Sequence, residues 1–139
     1  MGRKLSREAA MKLVYQVEIQ KDDREEQIRL SLEQPSFTKK DKIYIEDVVK
    51  GVLDNTEKID ELIEKYAIGW KINRISKVDL SILRVSIYEI LFREDIPYNV
   101  TINEAVEMAK KYSTSEAGAF INGILSKIPK TEIISTPET

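Results

Sequence analysis

The segment from residue 76 to residue 92 carries apolar side chains on nearly every side of a helix. Its apolar positions are Leu80, Ile82, Leu83, Val85, Ile87, Ile90, Leu91 and Phe92. Ser76 precedes the run and Asp79 falls in the first turn, as is typical of a helix N-terminus. A helix that is apolar all round has to be covered by other elements. The segment therefore predicts a central helix, buried on most sides, around which the rest of the chain packs.

The other periodic segments also favour helices. A helix is predicted over about residues 6–20, a second helix after a cap at Asp22 or Asp23, and a long helical region over residues 38–66 that is either one helix or two. No segment shows the alternation of a half-buried strand. The sequence therefore predicts an all-α protein of two small helical bundles packed into one compact unit.

The seam between the bundles is expected in the connector that contains the single tryptophan, Trp70. The sequence predicts an N-terminal helical subdomain with a basic arm over residues 1–69 and a C-terminal helical subdomain over residues 70–128. Residues 129–139 are polar and contain two prolines, which predicts a flexible tail.

Two short helices are predicted within residues 97–125. Thr101 and Glu104 have the spacing of a capping box, which would start the first of them. Glycine in a helix interior costs about 1 kcal/mol relative to alanine, so each interior glycine needs a reason. Gly51, in the long helical region, is interpreted as allowing close helix approach or a bend. Gly123, in the last helix, is interpreted as allowing close packing or as serving RNA.

The composition argues against most enzyme classes. The 139 residues include no cysteine and no histidine, which removes thiol nucleophiles, imidazole bases and nearly all zinc or iron sites. Neither a Walker A loop nor a G-x-G-x-x-G motif is present. The chain is therefore expected not to be an enzyme and to need no metal or cofactor. It has no run of about 18 apolar residues and no signal-peptide core, so it is expected to be cytoplasmic and not to contact a membrane.

A basic patch near the N-terminus is the first candidate for nucleic-acid binding. The formal net charge is −2, so phosphate binding would need such a local patch. Four-residue steps align Lys4, Arg7, Met11 and Tyr15 on the helix face opposite the core, with Arg3 close by. There the cations would meet phosphates and the tyrosine would stack on an unpaired base. A solvated helix face is the alternative, and periodicity alone favours it.

A second candidate lies near the C-terminus. Lys110 and Lys111 precede a hydroxyl-rich loop at residues 113–115 and the start of the last helix, and all of these groups can meet phosphate. An ordinary helix end, where lysines suit the dipole, is the alternative. Phe120 lies at the edge of an apolar stripe, where it is a core residue by default or presents its ring to a base.

Charged residues on the central helix must be paired or must face a partner. Arg84 and Glu89 are expected to pair within the molecule. Asp79, beside the connector, is the better candidate for meeting a partner.

Taken together, these residues resemble the NusB family of bacterial transcription antitermination factors over roughly residues 3–128. The pieces that carry the resemblance, in chain order, are Arg7-Glu8-Ala9, Leu13-Val14-Tyr15, Gly51-Val52 with Asn55, Ile59-Asp60, Tyr66 with Trp70, Asp79, Ile82-Leu83-Arg84, Tyr88-Glu89-Ile90, Ile96-Pro97, Val100, Ile102-Asn103-Glu104-Ala105-Val106, Ala109-Lys110 and Phe120-Ile121-Asn122-Gly123-Ile124-Leu125. The chain departs from the family in its N-terminal arm, where Leu5 and Ser6 interrupt the cations.

The resemblance implies an all-helical fold of two bundles and binding to the boxA element of ribosomal RNA leader transcripts. It implies that the RNA is shared with NusE, a small-subunit ribosomal protein, and that the pair joins other Nus factors on the RNA polymerase elongation complex. The RNA-binding residues that it implies, with the two lysines added from their pattern, are Arg3, Lys4, Arg7, Tyr15, Lys110, Lys111, Glu116 and Phe120. It further implies that Asp79 lies near the contact with NusE.

Two alternatives remain open at this point. Domains resembling NusB also occur fused to RNA methyltransferases, so the chain is alternatively a helical RNA-binding or adaptor module that serves a methyltransferase in trans. A homodimer that covers the RNA surface is the other alternative.

Overall fold

Helices account for nearly all of the described chain, as the periodicity predicts. The computed structural model describes residues 2–128, and within them the chain forms seven α-helices, one short 3₁₀-helix and no strand. The helices are α1 (Gly2–Ile19), α2 (Arg24–Ser31), α3 (Lys39–Asp54), α4 (Thr56–Tyr66), the 3₁₀-helix (Ile72–Arg74), α5 (Lys77–Phe92), α6 (Tyr98–Tyr112) and α7 (Ser115–Leu125). The all-α prediction is confirmed. The tail predicted over residues 129–139 lies outside the described residues.

Helix α5 is the centre of the molecule. It packs against α1, α3, α4, α6 and α7, and every residue from Leu80 to Leu91 is buried. This arrangement confirms the central helix predicted from the apolar run. Because elements from both halves of the chain share α5, the two bundles form one core. The boundary at residue 69 remains a prediction.

The helical region over residues 38–66 is two helices that meet at Asn55. Thr38 caps α3 in a full capping box with Asp41, as the sequence predicts for its start. At the other end, the Asn55 side-chain amide donates to the Gly51 carbonyl at 2.8 Å, and the Thr56 hydroxyl donates to the Val52 carbonyl at 2.8 Å. Side chains that satisfy the last carbonyls in this way compete with continued helix.

The predicted capping box at Thr101 is wrong. Helix α6 begins one turn earlier, at Tyr98, with Pro97 at its N-cap. Thr101 is fully buried, and its hydroxyl donates to Glu89 Oε1 at 2.8 Å. The threonine hydroxyl is therefore used by a carboxylate of α5 rather than by the backbone of its own helix.

The two interior glycines have different roles. A Cβ on Gly51 would lie 2.1 Å from Cε1 of Tyr88, so the glycine permits the close approach of α3 to α5 that was one of its two interpretations. A Cβ on Gly123 would have no neighbouring atom within 4 Å. The interpretation of Gly123 as allowing close packing is therefore wrong.

Within residues 2–128, no helix has both the length and the apolar character needed to cross a membrane.

Candidate nucleic-acid interface

Arg7 lies in the interior of the protein and not on the exposed face of α1. Its side chain is only 2% exposed. Its Nε donates to Glu89 Oε2 at 2.8 Å, and its Nη2 donates to Glu89 Oε1 at 3.2 Å. The prediction that Arg7 and Met11 share an exposed face with Lys4 and Tyr15 is wrong, because α1 is covered by both α3 and α5 and its buried stripe is wider than one side. In this position Arg7 offers no donor to a phosphate in solvent.

Four side chains form what we call the Glu89 cluster: Arg7, Tyr44, Glu89 and Thr101. The Glu89 carboxylate is fully buried and also accepts hydrogen bonds from the hydroxyls of Tyr44 and Thr101. Burial lowers the pKa of Arg7, but the hydrogen bonds and charge of Glu89 outweigh burial and raise it above the ordinary value. Burial and the same carboxylate raise the pKa of Tyr44. The cluster is a fully hydrogen-bonded buried ion pair, the form in which interior charge is tolerated.

Arg3 and Lys4, which we call the basic arm, are exposed at the start of α1. The Arg3 guanidinium lies 4.4 Å from the centroid of the Tyr44 ring. Lys4 Nζ lies 3.7 Å from Glu104 Oε1. Both cations remain accessible to phosphate while each has a defined contact with the body of the protein.

The two lysines at the end of α6 differ in their surroundings. Lys110 is exposed. Lys111 Nζ lies 3.2 Å from both carboxylate oxygens of Glu8, and the Tyr112 hydroxyl donates to the same carboxylate at 2.9 Å. Glu8 raises the pKa of Lys111. Because Glu8 is buried and Lys111 is exposed, this contact fastens α6 to α1 while leaving the ammonium group at the surface.

A cavity of about 300 Å³ opens between the connector, α5 and α7. Its lining residues are Trp70, Arg74, Ile75, Ser76, Asp79, Thr114, Glu116, Ala117 and Phe120. Trp70 is 49% exposed, and its ring meets that of Phe120 edge to face, with 5.7 Å between centroids. Phe120 is half-buried at the edge of the core. The cavity therefore presents two aromatic rings next to an acidic side chain from each of two helices.

Asp79 brings an unpaired acceptor to this cavity. Ser76 caps α5 by accepting a hydrogen bond from the Asp79 backbone N–H at 3.1 Å, which fixes the position of the aspartate in the first turn. Its Oδ1 atom is buried and has no hydrogen-bond partner among the described residues. A buried carboxylate oxygen without a donor is costly, and a ligand that supplied one would remove that cost.

Tyr15 lies on α1, and the side chains three residues to either side of it contact residues close in sequence to the cavity lining. It is 37% exposed and stands between Lys12 and Glu18 at steps of three residues, which keeps all three on one face. Lys12 Nζ lies 5.1 Å from the Tyr112 ring centroid, two residues before the cavity-lining Thr114. Glu18 accepts a hydrogen bond from Lys77 at 2.9 Å, next to the cavity-lining Ser76.

These two contacts join α1 to the segments that precede α7 and begin α5, on either side of the cavity. The basic arm lies at the N-terminal end of α1, and Tyr15 is about 18 Å further along the helix at 1.5 Å per residue. The structure brings Asp79, Glu116 and Phe120 together in the cavity, and it removes Arg7 from the surface. Sequence reasoning missed Trp70 and Arg74 as members of this site. A single tryptophan in a polar connector was the available signal, since exposed tryptophan is enriched at binding surfaces.

Comparison with known proteins gives one consistent result. The NusB family model matches residues 4–130 of the chain. The transcription antitermination protein NusB of Ruminiclostridium cellulolyticum is 60% identical over 133 residues, which span 96% of this chain and 92% of that protein.

Solved structures agree. NusB of T. maritima superimposes with a TM-score of 0.86 at 40% identity, covering 94% of this chain and 92% of that one. A structure of the antitermination factors NusB and NusE in complex with double-stranded RNA contains a chain that matches with a TM-score of 0.80 at 27% identity, covering 94% of this chain and 97% of that chain.

Proposed function

The chain belongs to the NusB family, and on that premise we propose that it is an RNA-binding transcription antitermination factor. We propose that it recognises the boxA element of ribosomal RNA leader transcripts together with NusE. The relatives reported above are antitermination proteins, so the expectation that the chain is not an enzyme is confirmed by its family and not by the lack of a catalytic motif.

The observation that carries the proposal is the combination of exposed cations on α1 and α6 with a cavity that presents aromatic rings. Arg3, Lys4 and Lys110 are exposed cations that would neutralise phosphates. Tyr15 and Phe120 would stack on unpaired bases, a contact that requires an unstacked strand rather than a closed duplex. In the proposed complex, the RNA strand would run along α1 from the basic arm toward the cavity.

Glu116 has a different role in this proposal, because a carboxylate cannot bind phosphate. It is exposed in the first turn of α7 and would accept a hydrogen bond from the exocyclic amino group of a cytosine or adenine held against Phe120. Lys111 contributes charge from its place beside Glu8. Arg7 is omitted from the direct contacts because of its burial.

We propose that NusE approaches the same cavity from the side of Asp79. The unpaired Asp79 Oδ1 would accept a hydrogen bond from a side chain of NusE, and Trp70 would be covered by that partner. The pair would then join the other Nus factors on the RNA polymerase elongation complex in the cytoplasm. A homodimer is the competing occupant of this surface, and a solution mass equal to two chains in the absence of RNA would favour it.

The fluorescence of the single tryptophan tests the proposal directly, because Trp70 lies in the cavity. A boxA RNA and a scrambled RNA of the same composition are titrated with and without NusE, at about 50 and about 200 mM salt. We expect tighter binding of boxA, a further gain with NusE, and weaker binding at the higher salt. Equal affinity for both RNAs in every condition would refute sequence-specific recognition.

Single substitutions then locate the surface. Stacking on one base is worth about 1–3 kcal/mol, so Phe120→Ala should weaken RNA binding by roughly 5- to 150-fold. Lys4→Gln should weaken binding to both RNAs and flatten the salt dependence. Lys42→Gln is the matched control, because Lys42 is an exposed lysine in the groove between α2 and α3. Asp79→Asn should weaken the gain from NusE more than the binding of RNA alone.

A further inference from the structure

We infer that the Glu89 cluster positions the basic arm for RNA, so that Arg7 assists RNA binding through Glu89 and Tyr44 without touching the RNA. This inference rests on the proposed function, and it assigns a role to three buried residues that the RNA surface itself does not include.

Burial prevents Arg7, Tyr44 and Glu89 from contacting RNA directly. The exposed fraction of the side chain is 2% for Arg7 and 0% for Glu89, and Tyr44 is also buried. Arg7 presents its Nε and Nη2 donors to Glu89. For Arg7 to reach a phosphate it would have to leave Glu89 as an unpaired buried anion, which is strongly unfavourable.

Two independent contacts lead from the cluster to the arm. On one side, the Tyr44 ring whose hydroxyl donates to Glu89 carries the Arg3 guanidinium at 4.4 Å from its centroid. On the other side, Glu104 Oε1 lies 3.9 Å from Nη1 of Arg7 and 3.7 Å from Nζ of Lys4. Each cation of the arm therefore contacts a side chain that is itself held by the cluster.

A further anchor fixes the backbone between the arm and the cluster. The Ser6 hydroxyl donates to Asp41 Oδ1 at 2.8 Å, at the capped start of α3. Ser6 separates the exposed arm from buried Arg7, so the helix is held on both sides of the point where it leaves the core. The arm thus lies in the first turn of a helix whose backbone is anchored just after it.

Order in the arm matters because long cationic side chains lose rotamer freedom when they bind. An arm that is already oriented loses less of that freedom on contact with phosphate, which increases affinity without adding a contact. If the cluster is disturbed, Arg3 and Lys4 keep their charge but lose their orientation.

The experiment compares three forms of the full chain for binding of boxA RNA in the presence of NusE. They are Glu89→Gln, the arm variant Arg3→Gln with Lys4→Gln, and all three substitutions together. One phosphate contact on a single strand contributes a salt slope of about 0.7, which corresponds to about fivefold in affinity at 0.1 M salt. The arm variant should therefore bind up to about 25-fold more weakly, with a slope shallower by up to about 1.4.

Glu89→Gln should weaken binding and flatten the salt slope, by no more than the arm variant does. In the triple variant Glu89→Gln should have no added effect, because the two charges of the arm through which it acts have already been removed. Tyr44→Phe serves as the second variant in case Glu89→Gln does not fold. Tyr44→Phe keeps the ring under Arg3 and removes only the hydroxyl that donates a hydrogen bond to Glu89. Like Glu89→Gln, it should weaken RNA binding. Lys42→Gln should leave both affinity and slope unchanged.

The outcomes separate this inference from the proposed function. If the arm variant binds RNA as well as the unmodified chain, the proposed surface fails. If the arm variant binds weakly but folded Glu89→Gln and Tyr44→Phe bind normally, the cluster serves stability only and the inference is overturned. An equal further loss from Glu89→Gln in the triple variant would also overturn it, since the effect would not pass through the arm.

Discussion

Replacing Gly51 with alanine should destabilise the protein, although alanine is the better helix former. Gly51 lies in the interior of α3, where the change should by itself gain about 1 kcal/mol. Its Cβ would, however, lie 2.1 Å from Cε1 and 2.3 Å from Cζ of Tyr88. Carbon atoms in contact are normally about 3.5–4.0 Å apart, so the ring has to move by more than an ångström.

The cost of that movement follows from what holds the ring. The Tyr88 hydroxyl donates to Asp47 Oδ1 at 3.1 Å, and the ring stacks on Phe92 with 5.0 Å between centroids. Losing the hydrogen bond costs about 1 kcal/mol, and disturbing the ring pair costs about 1 kcal/mol more. Overpacking of the helix interface adds about 1–3 kcal/mol. Set against the gain of about 1 kcal/mol from alanine, Gly51→Ala should lower the free energy of unfolding by about 2–4 kcal/mol.

Thermal unfolding followed by circular dichroism measures this change. For a chain of this length each kcal/mol corresponds to roughly 3 °C, so Gly51→Ala should lower Tm by roughly 6–12 °C. Gly123→Ala is the matched control, because it is also an interior helix glycine but its Cβ would meet nothing within 4 Å. Gly123→Ala should raise Tm by roughly 3 °C.

The reasoning depends on the Tyr88 ring, and a double-mutant cycle tests that dependence. In a Tyr88→Leu background, Gly51→Ala should no longer destabilise. If Gly51→Ala raised Tm as Gly123→Ala does, or destabilised equally without the ring, the packing argument would be refuted.

Two further predictions concern stability. Hydrogen bonds from Arg93 hold the pKa of Asp95 below its ordinary value of 3.8. This pair therefore stabilises the fold above about pH 4, and the contribution disappears as the pH falls through the lowered pKa. Measured by urea unfolding at each pH, Asp95→Asn should be less stable than the unmodified chain at pH 7 and should match it in acid. Thr114 caps α7 by accepting from the Ala117 N–H at 3.0 Å, so Thr114→Ala should cost about 1 kcal/mol, whereas Thr114→Ser should cost much less.

The parts of the fold that could be predicted from the sequence are those that depend on residues close together in the chain. Asp23, Thr38 and Ser76 each cap the helix that follows, because a cap needs only a side chain and a backbone N–H two or three residues on. The central position of α5 followed from its own apolar content. Thr101 had the same local pattern and was misassigned, because its hydroxyl is used by Glu89 from another helix.

The site was predictable only in part for the same reason. Helical spacing placed Arg7 on the face opposite the core, which is wrong, because spacing does not give the width of the buried stripe. That width depends on how many helices cover α1. The cavity unites Trp70 from the connector with Phe120 from α7, and no local pattern links positions so far apart. The residues alone supplied Asp79 and Phe120 as separate candidates, and Glu116 was supplied only by the resemblance to a family.

The distance along the sequence between α1 and the helices that it contacts also constrains the order in which the protein folds during synthesis. Arg7 and Glu89 are 82 residues apart, and Glu8 and Lys111 are 103 apart. At about 5–20 residues per second, the ribosome completes α1 at Ile19 roughly 4–14 s before it adds Glu89. During that interval the Glu89 carboxylate is not yet present to accept hydrogen bonds from Arg7. The first helix to be synthesised is therefore among the last to reach its final environment, and a nascent chain that stops short of α6 has not yet assembled the support for its own N-terminus.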